Sequence, residues 1–194
     1  MGNLPAARGW IQKAVQRWPN HSGVRWVRRY IAGFYEQPAA GLTIITALDA
    51  QTFPDERQAA IWRTFTEAKA AHVAKTTAIQ EIREAADQGR ITRENEIMML
   101  AALGEPKLAI EAANSALDEQ QLQAWFLFTP VTRNVRQDPG FVPLAVRMGL
   151  IRYWRETGKR PDALVWETPE GIAAALQAMM HRPDATDTAA AVRL

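Results

Sequence analysis

The chain contains no cysteine, which excludes a disulfide framework, a thiolate metal site and a cysteine nucleophile. Serine is nearly as scarce: Ser22 and Ser115 are the only two, and neither sits in a Gly-x-Ser-x-Gly turn. His21, His72 and His181 are far apart and form no His-Glu-x-x-His pattern. Gly158-Lys159 is no phosphate loop, because it lacks both the upstream glycine and a following Ser or Thr. No apolar run approaches the roughly 18 residues of a membrane span, and the stretch from Leu42 to Leu48 is interrupted by threonines. No basic segment followed by an apolar one opens the chain, as a secretory signal would. Met1-Gly2 begins like an acylation site, but Ala6 stands where Ser or Thr is wanted. From these absences we expect a cytoplasmic protein that is not an enzyme, with no metal and no cofactor.

What is present is helical in character. Alanine dominates the apolar set and the β-forming residues are scattered, a balance that favours helix over strand. Charge is unevenly spread along the 194 residues. Residues 1–35 hold six basic side chains (Arg8, Lys13, Arg17, Arg25, Arg28, Arg29) and no acidic one, whereas residues 36–125 hold 14 acidic and 8 basic. Such asymmetry marks a face that meets something of opposite sign, unless it is simply a solvated helix surface.

A repeat organises the chain. Gly2-Asn3-Leu4-Pro5-Ala6-Ala7-Arg8, followed by Ile11, Ala14 and Pro19-Asn20, corresponds to Gly104-Glu105-Pro106-Lys107-Leu108-Ala109-Ile110, followed by Ala113 and Ala116. The two glycines are 102 residues apart, three times 34, and 34 is the period of the tetratricopeptide helix-turn-helix. Between them Pro19-Asn20 recurs as Pro54-Asp55, and Val27, Tyr30, Ile31 and Phe34 form one helical stripe. Pro38 and Gly41 are expected to break the chain before a helix carrying Leu42, Ile45 and Leu48. A further pair is expected over Glu56 to Ala71 and Val73 to Gln88, stopped by Gly89. Thr92 is the expected cap of a helix containing Ile97, Leu100 and Leu103. Ala7, Ala14, Ala109 and Ala116 would let helices approach closely, with Trp10, Trp62 and Phe65 filling the spaces between hairpins. Because Gly2 stands at the turn inside a repeat, its first helix is missing. Apolar surface around Trp10, Ile11 and Trp18 would then be open, as in the C-terminal part of a longer protein or in a dimer.

The most specific stretch follows Phe126: Arg136-x-Asp138-Pro139-x-Phe141-x-x-Leu144-x-x-Arg147-x-Gly149-Leu150-x-x-Tyr153-Trp154-Arg155-x-x-Gly158-x-x-Pro161-Asp162. It resembles the closing segment of helical-repeat domains behind winged-helix regulators and class III adenylate cyclases of proteobacteria, over about residues 126–162. In that family chains usually end with Phe-Cys after Pro-Asp, whereas here Ala163-Leu164 follow. Physically, Asp138-Pro139 starts a helix, Phe141, Leu144 and Met148 share a face, Gly149 ends it, and Tyr153 and Trp154 pack a final helix. Arg136 and Arg147 pair with Asp138 or with backbone carbonyls.

The resulting expectation is an all-α, right-handed solenoid of tetratricopeptide-like hairpins over residues 1–162 with a C-terminal capping helix. Residues 163–194 would form an extension with one helix at about 169–181, its stripe made by Ile172, Leu176, Met179 and Met180, and a flexible end from Pro183. Function is expected to be protein–protein interaction within a larger signalling or transcription-regulating protein. The first helix of each hairpin lines a concave groove, where Arg25, Arg28, Arg29 and Tyr35, with Asn95 and Met98 of a later repeat, would hold an acidic or C-terminal peptide segment. Two alternatives stand beside it: self-assembly through the open end, and nucleic-acid binding by the basic N-terminal segment with Trp10, Trp18 and Trp26 interleaved.

Overall fold

The helix starts follow local capping chemistry. In the computed structural model, which describes residues 4–48, 53, 55–159 and 169–181, the first helices are α1 (Leu4–Arg17), α2 (Ser22–Phe34), α3 (Pro38–Ala47) and α4 (Glu56–Lys69). They continue as α5 (Lys75–Asp87), α6 (Arg93–Ala102) and α7 (Pro106–Asp118). Asp55 Oδ1 accepts from the Gln58 amide at 2.7 Å to open α4, and Thr92 Oγ1 accepts from Asn95 at 3.3 Å to open α6. The α2 cap is His21, whose Nδ1 accepts from the Gly23 amide at 3.2 Å, a role its sequence position does not advertise. Gly89 ends the α5 segment in the left-handed region at φ +66°, as its place after Gln88 predicts.

The chain breaks before the helix that carries Leu42 and Ile45, as expected, but at residues 35–37, ahead of Pro38, and not at Gly41. Pro38 occupies the first turn of α3, where its missing N–H costs nothing. Gly41 lies inside that helix and faces the backbone of α2: a Cβ there would fall within 3.0 Å of the Ala32 carbonyl oxygen, closer than real Cβ atoms come. Glycine at this position is what lets α2 and α3 touch.

Each helix from α1 to α7 packs on the next, and α2 also meets α4. The core runs through the stack as Phe34, Trp62, Phe65, Ile82, Ile97 and Leu100, with edge-on ring contacts between Phe34 and Trp62 and between Trp62 and Phe65. A fully buried side chain such as Phe65 contributes about 1.5–3 kcal/mol relative to exposure. Ala109 and Ala116 are fully buried in α7, as their spacing suggests, while Ala7 and Ala14 in α1 are only half-buried.

Beyond α7 come two 3₁₀ turns, Ala124–Phe128 and Pro130–Thr132, then α8 (Arg133–Arg136), α9 (Phe141–Arg147), α10 (Leu150–Thr157) and α11 (Glu170–Met180). The described residues contain eleven α-helices and no strand, so the fold is all-α. Asp138 and Pro139 form the turn before α9, with Asp138 Oδ1 accepting from Gly140 at 2.8 Å. Arg136 is buried and Nη1 donates to the carbonyls of Leu127 (2.7 Å) and Thr129 (2.8 Å), holding the 3₁₀ turns against α8. Arg147 reaches Asn114 and Asp118 on α7 instead of Asp138. Trp154 is buried as expected, but Tyr153 is exposed. The extension helix packs on α9 and α10, with Ile172 and Leu176 buried. Arg155 donates to the Met180 and Met179 carbonyls at 3.0 and 3.2 Å, meeting the negative end of α11. The Gly2-Asn3 turn, Pro161-Asp162 and the end from Pro183 onward lie outside the described residues.

Candidate binding surface

The residues expected to line one groove do not come together. Arg29 is buried, its guanidinium 5.0 Å from the Phe53 ring centroid and 5.1 Å from that of Trp62, with Nη1 donating to Gln58 at 3.3 Å. Burial lowers its pKa from the ordinary arginine value. Met98 is fully buried, with Sδ accepting from the Tyr30 hydroxyl at 3.4 Å. Neither side chain can meet a ligand in this conformation. Tyr35 is half-buried beside Tyr30, ring centroids 5.8 Å apart, and burial raises the pKa of both phenols. Asn95 is half-buried in the first turn of α6. Arg25 closes the α1–α2 corner, donating to the Asn20 side chain at 2.9 Å and to the Pro19 carbonyl at 3.4 Å. Arg28 alone of the four groove residues on α2 and its end is exposed.

The structure gathers a different set at α1 and α2. Trp10 is 71% exposed, Trp18 55% and Trp26 41%. The expectation that Trp10 fills an inter-hairpin space is therefore overturned. Lys13 lies over the Trp10 ring at 5.0 Å, Arg17 over Trp18 at 5.2 Å, and Trp26 stacks on Tyr30 at 4.9 Å. Between the two helices runs an apolar-walled cleft of about 420 Å³, lined by Trp10, Ile11, Ala14, His21, Gly23, Val24 and Val27. Val24 also lines a second, smaller cleft of about 190 Å³, where Arg25 and Arg28 face Val15 and Leu48. Arg8 takes no part, since it pairs bidentately with Glu36 at 2.7 and 2.6 Å.

Of the open apolar surface expected around Trp10, Ile11 and Trp18, both indoles are exposed and Ile11 is half-buried in the cleft wall; the sequence reading did not single out the cations that lie over these rings. The available signal was Trp10, Lys13 and Arg17 at i, i+3 and i+7 in a segment without acids, which puts the ring and both cations on one helix face. Among the described residues no group of three or more His, Asp or Glu side chains could hold a metal ion. No described helix is long and apolar enough to cross a membrane. No known protein family, curated protein or solved structure matches the chain.

Proposed function

We propose that this chain is a protein-interaction module, a stack of tetratricopeptide-like hairpins that recruits a partner protein through its α1–α2 end. One observation carries the reading: three tryptophans on α1, α2 and the turn between them stand at least two-fifths exposed, one of them lining an apolar cleft, while the helices behind them have a closed core. Desolvating clustered aromatic and aliphatic side chains in a cleft is how protein interfaces gain most of their energy, and tryptophan and arginine dominate their hot spots. The 34-residue spacing of the two glycine turns and the sequential packing of α1 to α7 support the hairpin stack. The likeness of residues 126–162 to the closing segment of regulator-linked repeat domains supports a regulatory setting. The concave groove of the initial expectation gives way to the stack's end, since Arg29 and Met98 are buried.

Self-association is the second reading, favoured by the same open apolar surface. It is opposed by charge, because two copies meeting here would bring only basic segments together. Base stacking is the less favoured reading, because one face of each ring already meets a neighbour: a cation at Trp10 and Trp18, and Tyr30 at Trp26.

Site-specific photo-crosslinking in cells tests the proposal. A photoreactive phenylalanine at position 10 should give adducts with another protein. The same probe at exposed Arg63 on α4 should give none. Equal labelling from both positions, or none from position 10, refutes it.

A further inference from the structure

Interior helices of the stack have a helix on each side, whereas α1 packs principally on α2 alone. The apolar cleft lies between those two helices, with Trp10, Ile11 and Ala14 on one wall and Val24 and Val27 on the other. Two parallel-sided helical walls with apolar residues at i, i+3 or i+4 spacing form the seat into which a third helix lays its own stripe. We infer that the α1–α2 cleft is a slot for one amphipathic helix with acidic flanks, added to the end of the stack by a partner protein. This inference rests on the reading of the chain as an interaction module and names the chemistry of what is recruited.

The charge of the occupant is argued from four places where elements of the stack are joined by ion pairs. Arg8 bridges to Glu36 at 2.6 Å, Lys75 to Glu105 at 2.5 Å, Arg93 to Glu119 at 2.9 Å and Arg147 to Asp118 at 2.5 Å. Each joins one helix, or the turn beside it, to another by a cation and a carboxylate. At the open end the cations are present and the carboxylates are not. Lys13 lies over the Trp10 ring that lines the cleft, Arg17 follows it on the same face of α1, Arg28 is exposed on α2 beside the smaller cleft, and none of the three makes an ion pair among the described residues. Residues 1–35 contain no Asp or Glu to supply one. An occupant with leucine or phenylalanine on its stripe and glutamate on its flanks satisfies both halves of the site; a basic helix would be repelled.

The test uses the whole 194-residue chain and synthetic peptides. The probe is an acetylated, amidated peptide of about 16 residues, long enough to hold a helix once docked, with leucine at helical spacing and glutamate on both flanks. Its controls replace every glutamate by lysine, or every leucine by glutamine. Fluorescence anisotropy and tryptophan emission report binding. The glutamate peptide should bind with a blue shift of the tryptophan emission and a gain in helicity, and each control at least about tenfold more weakly. Ala14→Arg, which fills the slot, should weaken binding about tenfold or more. Trp10→Ser, at a side chain the fold does not bury, should do the same.

Equal affinity for the lysine peptide would overturn the acidic chemistry while leaving the interaction face in place. Tight binding undisturbed by both substitutions would move the site elsewhere and overturn the slot. If no peptide binds but position 10 still crosslinks to a protein, the helix slot fails and the module reading survives. If neither occurs, both fall. A dimer abolished by Ala14→Arg would make the occupant a second copy. Co-sedimentation with phosphatidylserine vesicles but not with peptide would make it a lipid surface. Each of these last two results overturns the acidic helix.

Discussion

Substituting Gly41 by alanine should destabilise the protein, although the same change at an open helical position stabilises. Alanine is worth about 1 kcal/mol over glycine in a helix interior. At Gly41 that gain is opposed by a hard contact, because the new Cβ would fall within 3.0 Å of the Ala32 carbonyl oxygen of α2. A backbone oxygen cannot rotate aside, so relief requires α2 and α3 to separate along their shared face. Forcing a methyl group into packed contact costs about 1–3 kcal/mol even where side chains can adjust, so the net loss is about 1–2 kcal/mol or more. For a domain of this size that lowers the thermal midpoint by roughly 2–8 °C. Gly33→Ala places its Cβ 2.6 Å from Cζ3 of Trp62, a ring enclosed in the core, and should also destabilise. Gly9→Ala in α1 meets nothing within 4 Å and should gain about 0.5–1 kcal/mol. Thermal and urea unfolding followed by circular dichroism read the three together. A Gly41→Ala protein as stable as wild type, or a ranking in which Gly9→Ala is the most damaging, refutes the close α2–α3 approach.

Two further perturbations address the polar interior. Arg136→Met leaves the Leu127 and Thr129 carbonyls without their guanidinium donor in a buried site; we expect a loss of about 2–4 kcal/mol by urea unfolding, and an unchanged midpoint would show these contacts to be dispensable. Arg93 pairs with three carboxylates, Asp87, Glu96 and Glu119, and the last two have opposite pH signatures. Burial raises the Glu96 pKa above its ordinary 4.5, so the stability it contributes is complete below that pH and is lost as pH rises through the folded value. The Arg93 guanidinium lowers the Glu119 pKa, so its contribution is complete above pH 4.5 and is lost as pH falls through the folded value. Urea midpoints from pH 3.5 to 6.5 should therefore fall less steeply on acidification in Glu119→Gln and more steeply in Glu96→Gln. Parallel slopes in both variants would contradict the assignment.

The helical class and most element boundaries were legible because their causes are local. Thr92 and Asp55 cap the helices that follow them, and Gly89 stops the one before it; each needs only a few neighbouring residues. Pro38 does stand at the α2–α3 break, but Gly41 was misread as a breaker because its effect depends on context. Proline is harmless in a first turn, and an interior glycine is explained only by the α2 backbone pressed against it. The groove residues failed for a related reason. A stripe at helical spacing says which side chains share a face, not which neighbour covers it. Arg29 and Met98 share faces that Phe53, Trp62 and Tyr30 cover.

The tryptophans show where burial of a residue type stops being a property of the residue. Trp62 and Trp10 have the same side chain and both sit on helices with apolar neighbours, yet one is 1% exposed and the other 71%. Trp62 is enclosed by Phe34 and Arg29 from α2 and by Phe65 of its own helix. Trp10 has α2 on one side and solvent on the other. Stacked hairpins seal each helix only through the next one, so an uncovered face retains the full driving force that assembled the interior. At α1 that force is concentrated on an apolar cleft whose Trp10 ring lies under Lys13, with Arg17 on the same face of α1. In the proposed interaction, apolar area supplies the affinity and the one-sided charge selects the partner. On the proposed reading, the packing rule that builds the fold also specifies the end at which a partner docks.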